Sequence, residues 1–331
     1  MRQLKKIEVI KPAFYRISPV NINGIGTHRL MIVFKTKGCE YARKTGGCTV
    51  CGFKNNAREN ITDEEIISQL DYCLETILTS DVQEIDLLTL GSFFNDSEVS
   101  PSVRTILLEK MSRLKTIKRV SIESRAEYVT YEKLKQSKQI LKDKSLEYAI
   151  GLESADDYVR NEIIKKDLSK ELFEETVGRV KRAGCDLLVY LLVNPPRMLE
   201  KTAIEDAVAS ARYVFAVADK HRVRVRVAFE PVFICENTQL ENLYFQAQYK
   251  LVNLWSVVEV VRQTHSYGNI FVGLSDEDLS RERLPQSCPQ CSETITREIE
   301  HFNKTQEISG LEKLHCQCKK DYLYKLEKGL I

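Results

Sequence analysis

Residues 30–53 read LMIVFKTKGCEYARKTGGCTVCGF, an apolar, β-branched run that breaks into a loop carrying Cys39, Cys48 and Cys51. The spacing is C-x8-C-x2-C. Three soft thiolates in one loop can hold three irons of a 4Fe–4S cluster and leave the fourth iron without a protein ligand. An open iron is a place for chemistry, whereas four thiolates describe an electron carrier or a closed structural site. Two other readings use the same residues. The triad could be three of four zinc ligands, since CTVC has zinc-knuckle spacing, or the CxxC pair could be a redox motif. Neither accounts for three thiols directly after a strand.

Outward from this loop, further strand-like runs occur at 84–90, 118–123, 146–152, 186–193, 223–229 and 270–274, with helical patterns between them. The first such helix opens with the capping box Thr62-x-x-Glu65 and places Ile66, Leu70, Cys73 and Leu74 on one face, so Cys73 is read as core. Another starts at Ser169 and stops at Gly184, a C′ glycine. Repeated βα units need right-handed parallel crossovers, hence a parallel sheet or barrel. About six units plus a closing strand predict an α/β fold of partial (β/α)6 barrel type. An open doubly wound sheet is the alternative.

The expected organisation is an N-terminal extension at 1–29, a barrel at 30–274 and a cysteine-rich segment at 275–331. With 331 residues, 43% apolar and 29% charged, the composition excludes disorder and suits one large domain with an appendage. A net charge of +2 makes no global case for nucleic acid. No stretch approaches about 18 uninterrupted apolar residues, and MRQLKKIEVIKP lacks an apolar core, so no membrane partner and a cytoplasmic location are expected. In a reducing compartment, seven of the ten cysteines gathered in two groups suggest metal sites. Cys73, Cys185 and Cys235 are left as isolated core or strand-end residues. The hexapeptide ENLYFQ at 241–246 matches a tag-removal protease site and is set aside.

The second cysteine group is CPQC at 288–291 followed by Cys316 and Cys318, giving C-x2-C-x24-C-x-C. Four thiolates match a closed tetrahedral zinc site that staples a small segment. A second iron–sulfur cluster is the rival, because cysteine spacing alone does not select the metal.

In α/β barrels the reactive residues lie at the carboxyl ends of strands. Here the strands are followed by LGSFFND, IESRAEYV, GLESADD, LVNPP and AFEP, each with polar side chains. With the triad, these segments resemble the radical S-adenosylmethionine (SAM) superfamily. The long first gap is similar to the branch containing the Elongator catalytic subunit. The resemblance implies that the open iron chelates SAM and that one electron cleaves it to a 5′-deoxyadenosyl radical. It further implies that Phe53 meets the adenine and that Gly91 and Ser92 stand where the family's GGE backbone meets the methionyl ammonium. Glu123 and Arg125 correspond to an ETRP-like segment, the guanidinium suiting the methionyl carboxylate. Glu153 and Ser154 are implied near the ribose, and Asn194 and Glu230 toward a substrate.

With the PQSCPQC and CQC tail, the chain resembles over nearly its full length the radical SAM family of archaeosine biosynthesis (RaSEA). That family implies a lyase acting on archaeal tRNA, where a lysine-modified 7-deazaguanine loses its lysyl chain by C–N cleavage. The implied partners are tRNA, the transglycosylase-like enzyme that attaches the lysine, and an electron donor. Arg222, Arg224 and Arg226, with Lys165, Lys166, Lys319 and Lys320, are candidate phosphate contacts. The arginine row reads equally as the solvated face of a strand. The alternatives are a radical SAM enzyme for another RNA base or small molecule, and a non-catalytic zinc-stabilised nucleic-acid-binding module.

Overall fold

The computed structural model describes residues 10–274 and 279–331. Eight strands form one sheet in sequence order: β1 (Phe14–Ile22), β2 (Ile25–Phe34), β3 (Val82–Thr89), β4 (Arg119–Glu123), β5 (Ser145–Glu153), β6 (Asp186–Val193), β7 (Val225–Pro231) and β8 (Asn269–Val272). The helices are α1 (Glu40–Thr45), α2 (Asp63–Thr76), α3 (Pro101–Arg113), α4 (Tyr131–Leu141), α5 (Lys170–Ala183), α6 (Glu200–His221), α7 (Gln239–Phe245), α8 (Leu254–Thr264), α9 (Ser292–Thr305), α10 (Ser309–Lys313) and α11 (Gln317–Glu327). From β2 to β8 neighbouring strands are parallel, as repeated βα crossovers require. The Thr62–Glu65 capping box forms, Ser169 caps α5, and Gly184 ends it at φ 68°.

The N-terminal extension contains a strand that its composition does not announce. β1 pairs antiparallel with β2 across Asn23–Gly24. Both turn residues are left-handed, at φ 54° and 88°, which is what a two-residue Asn-Gly hairpin needs. The barrel thus takes in residues from Phe14 onward, and the boundary expected at residue 30 falls inside β2. The boundary expected at 275 lies outside the described residues.

The sheet curls until Val20 and Ile22 of β1 pack with Ala149 of β5, Leu188 of β6, Ala228 of β7 and Phe271 of β8. Below this layer, buried charges tie the strands together. Arg29 meets Asp86 at 2.9 Å, Arg119 bonds Glu84 at 2.7 Å, and Arg226 joins Glu84 and Glu147. The guanidinium of Arg29 also stacks 4.2 Å from the Phe271 ring centre. Such a network contributes little net stability but leaves a buried charge if one partner is removed. It corrects the phosphate-contact expectation for Arg226, which points into the barrel. Lys166 is likewise withdrawn, because it is bonded to Glu153. Arg224 is exposed beside Asn23 and Asp186, as the solvated-face reading has it.

β1 and β8 do not pair, and α9 fills the seam between them, packing on β1, β2 and β8. Its side-chain amides copy a neighbouring strand. Val272 N–H donates to Asn303 Oδ1 at 2.9 Å, and Asn303 Nδ2 donates to the Val272 carbonyl at 2.9 Å. One turn on, Gln306 does the same for Ile270, at 3.0 and 2.8 Å. These bonds satisfy an edge that would otherwise expose unpaired backbone. No helix among the described residues is long and apolar enough to cross a membrane.

Candidate functional site

The cysteine loop leaves β2 at the carboxyl end of the barrel. The eight-residue gap is occupied by the short helix α1, which starts directly after Cys39 and ends at Gly46 and Gly47, both left-handed at φ 93° and 83°. The CTVC turn is then fastened to the π-helix after β5, Val159–Ile163. Thr49 donates through its hydroxyl to the Ile163 carbonyl at 2.7 Å and through its N–H to the Ile164 carbonyl at 2.9 Å. Gly52 lies against Cys235; a Cβ there would sit 2.4 Å from the Cys235 Cβ.

Burial pushes all three triad thiols up, and Cys51 goes beyond the ordinary thiol range. Lys166 and Arg125 pull Cys48 back down. Thiols held high by burial become good ligands once a cationic centre is present to stabilise the thiolate. Among the described residues, the one group of three or more His, Cys, Asp or Glu with ligand atoms all within 4.8 Å of one another is the tail quartet. The triad cysteines lie outside that group.

The neighbouring strand ends build a polar collar. After β3, Ser92 N–H donates to the buried carboxylate of Glu98, which also accepts Glu40 N–H at 2.9 Å. Gly91 must be glycine here, since a Cβ would lie 2.0 Å from Glu98 Oε2 and 2.7 Å from the Cys39 Cα. Burial raises Glu98 despite these bonds. After β4, Arg125 takes its place through a backbone bond to Ser92 Oγ at 3.2 Å. Its guanidinium stacks 4.0 Å from the Tyr41 ring centre and donates to the carbonyls of Lys166 and Asp167 at 3.0 and 3.3 Å. Glu123 reaches about 7 because of burial, with Lys166 pulling it down and Glu153 pushing it up.

At the end of β5, Glu153 has φ 67° at a bulge and bonds Lys166 at 2.6 Å. Gly151 makes room for that pair, as a Cβ would come within 2.2 Å of the Glu153 carboxylate. Ser154, by contrast, is wholly buried and donates to Asp206 at 2.7 Å. Asn194 is buried at φ 67°; its Nδ2 bonds the Lys250 carbonyl at 3.0 Å, while its Oδ1 has no hydrogen-bond partner among the described residues.

One cavity of about 230 Å³ runs into the barrel from this mouth. Cys51, Phe53, Glu123, Glu153 and Glu230 line it together, among apolar residues such as Met31, Leu192 and Phe271. Cys39, Cys48, Gly91, Ser92 and Arg125 lie outside its lining; Arg125 reaches it through Lys166, whose ammonium pairs with Glu153. Ser154 and Asn194 are not on its wall. Glu98, Tyr41, Lys166 and Cys235 are additions that no local spacing points to. The ENLYFQ stretch is integral to the fold: it lies in α7 and the residue after it, Thr238 caps that helix, and Glu241 pairs with Arg283 at 2.8 Å.

The tail differs in geometry. Cys288 lies 3.5 Å from both Cys291 and Cys316, and Cys291 lies 3.5 Å from Cys318, sulfur to sulfur. Four sulfurs about 2.3 Å from one tetrahedral ion are about 3.8 Å apart, so a single ion fits and a second cubane cluster does not. Trp255 Nε1–H donates to Cys318 Sγ at 3.4 Å, an outer contact of the kind that orients a ligand.

A nearly closed barrel of this topology, with its cysteine loop at the mouth, has the fold of radical SAM enzymes. It matches a radical SAM methyltransferase from Sphaerobacter thermophilus with a TM-score of 0.51, at 11% identity over 83% of this chain and 81% of that one. The archaeal Methanocaldococcus infernus Elp3 gives 0.50, at 15% identity over 72% of this chain and 58% of that one, so this chain spans less than two thirds of the Elp3. In sequence the chain is similar to Archaeosine synthase subunit beta of Methanosarcina acetivorans, 29% identical over 308 residues, or 92% of this chain and 87% of that protein. The Thermococcus kodakarensis protein of the same name is 29% identical over 321 residues, covering 96% and 97%. No family model matches.

Proposed function

We propose that this chain is a radical SAM lyase of archaeosine biosynthesis, which cleaves the C–N bond of a lysine-modified 7-deazaguanine in archaeal tRNA. The observation that carries this reading is a barrel-mouth cavity lined by Cys51 and by Glu123, Glu153, Leu192 and Glu230 from the ends of four strands, in a chain resembling archaeosine synthase subunit beta along nearly its whole length. Cys39, Cys48 and Cys51 are the residues that hold three irons of a 4Fe–4S cluster. When bound, the cluster supplies the electron that converts SAM to a 5′-deoxyadenosyl radical, the species that abstracts the substrate hydrogen.

The chain's own residues bind and orient. In this reading the Gly91–Ser92 backbone and the Glu98 charge beneath it receive the methionyl ammonium. Arg125, held flat by Tyr41, attracts the methionyl carboxylate. Phe53 meets the adenine, while Glu153 with Ser154 behind it belongs to the ribose side. Glu123 and Glu230, beside the apolar Met31, Leu192 and Phe271 of the lumen, suit an ammonium-bearing aliphatic chain. Asn194 shapes the loop beside them. The protein works in the cytoplasm with an electron donor and with the transglycosylase-like enzyme that attaches the lysine, which also supplies tRNA affinity that a net charge of +2 does not. We also infer that Cys288, Cys291, Cys316 and Cys318 hold one zinc ion.

The test is anaerobic reconstitution with iron and sulfide, then incubation with SAM, reductant and lysine-modified tRNA. Formation of 5′-deoxyadenosine together with the amidine base is expected. SAM cleavage without the amidine rejects the archaeosine substrate, and a colourless protein that never takes up iron rejects the radical class.

A further inference from the structure

We propose that the tail metal does more than staple a small segment: it holds α9 across the barrel seam, and α9 in turn positions the wall of the substrate cavity. α9 is the element that closes the gap between β1 and β8, through the paired amide contacts of Asn303 with Val272 and of Gln306 with Ile270. It also reaches the β1 side, where Asn21 Nδ2 donates to the Lys304 carbonyl at 2.9 Å and Arg16 pairs with Glu300 at 3.5 Å. Glu300 and Asn303 line the cavity that Cys51 and Glu230 also line. A shift of α9 along its axis would therefore alter the cavity directly.

What sets the axial position of α9 is its start. Cys291 is the N-cap residue and makes no side-chain capping bond, so its sulfur is turned to the quartet instead. The opposite pair, Cys316 and Cys318, opens α11. That helix is anchored to α8 by the Trp255–Cys318 contact and by Tyr322 against Ser256 at 2.8 Å. The ion thus joins the end of α9 to an element already fixed on the barrel. Metal-binding free energy in such closed sites is folding free energy, here delivered at the seam. Apolar packing of Ile295, Ile299 and Phe302 holds α9 against the core. That packing resists lifting better than sliding.

This inference rests on the zinc reading of the quartet, so zinc content is measured first on the full chain. Amide hydrogen exchange at Ile270 and Val272 is read next, with neither SAM nor tRNA present. Cys316→Ser is expected to lose the zinc, to speed exchange at these two amides at least tenfold, and to leave β4–β6 amides protected. With modified tRNA, its KM is expected to rise about tenfold while kcat falls less. If that variant does not fold, Gln306→Ala, which keeps the zinc and the triad iron, is expected to speed exchange at Ile270 and to raise KM severalfold. Zinc loss with unchanged exchange and KM overturns the seam role while sparing the zinc site. A native protein without tail metal but with a protected seam overturns both. Neither result bears on the triad.

Discussion

The molecule uses cysteine twice, and the two uses differ in what surrounds the sulfur. At the mouth, Cys39, Cys48 and Cys51 lie along a loop threaded by a short helix, half-buried, and bordered by Glu98, Arg125, Glu123 and the Lys166–Glu153 pair. At the tail, four sulfurs gather with 3.5 Å separations beside one indole N–H. One group thus borders a lumen, with Cys51 on its wall. The other is closed, where two helix starts press the sulfurs together. Spacing in sequence decides which cysteines meet; the supporting elements decide what they can hold.

The sharpest way to break this contrast is to delete one ligand from each side. Cys48→Ala is expected to reduce SAM cleavage to background and remove the brown absorbance, while tail zinc stays at one equivalent. Retained 5′-deoxyadenosine formation in that variant sinks the triad assignment. Cys291→Ala should do the reverse: iron and sulfide are retained in whatever folds, and stability falls by several kcal/mol, or roughly 10 °C in Tm. A normal Tm with lost turnover would mean that the tail is catalytic. Next in size, Gly91→Ala forces a methyl between Glu98 and the Cys39 backbone. We expect it to cut SAM cleavage about 10–100-fold, the range seen when groups supporting a metal ligand are disturbed. Wild-type cleavage would show that the collar does not set the position of Cys39.

Much of this contrast is legible in the chain. The seven parallel strands announce themselves as β-branched runs that end in polar residues, and both cysteine groups are local spacings. β1 is not apolar enough to stand out, although Asn23–Gly24 between strand-like residues is a hairpin signal. What local reading cannot supply is which way a strand-end side chain turns. Ser154 and Asn194 follow their strands as expected, yet each is buried in packing, because a left-handed residue at Glu153 and at Asn194 redirects the chain. The partners that complete the mouth are brought together by loop turns or from distant segments. Glu98 reaches Ser92 and Glu40, Lys166 reaches Glu153, and Cys235 reaches Gly52; no periodicity records such meetings. The amide pairs of Asn303 and Gln306 are equally silent, since they copy a strand with side chains.

The smallest expected effect separates the two regions by acidity. The mouth carries Glu123, whose carboxyl is pushed up to about 7 from an ordinary value of 4.5, chiefly by burial. In the cluster-free, SAM-free protein the folded chain therefore keeps a proton between about pH 4.5 and 7 that the unfolded chain has released. Protons held by the folded state alone make stability fall as pH rises through that window, and the penalty is complete above pH 7. Glu123→Gln is neutral at every pH and close in shape, so it removes the dependence. The two proteins should melt closest together at pH 5, near the start of that window. At pH 8 the variant should gain about 1–3 kcal/mol, or a few degrees in Tm, because the charged carboxylate is no longer confined in the lumen. Melting curves at pH 5, 6, 7 and 8 decide it. A constant offset across the series would mean that the carboxyl is solvated at the mouth and that burial does not govern it.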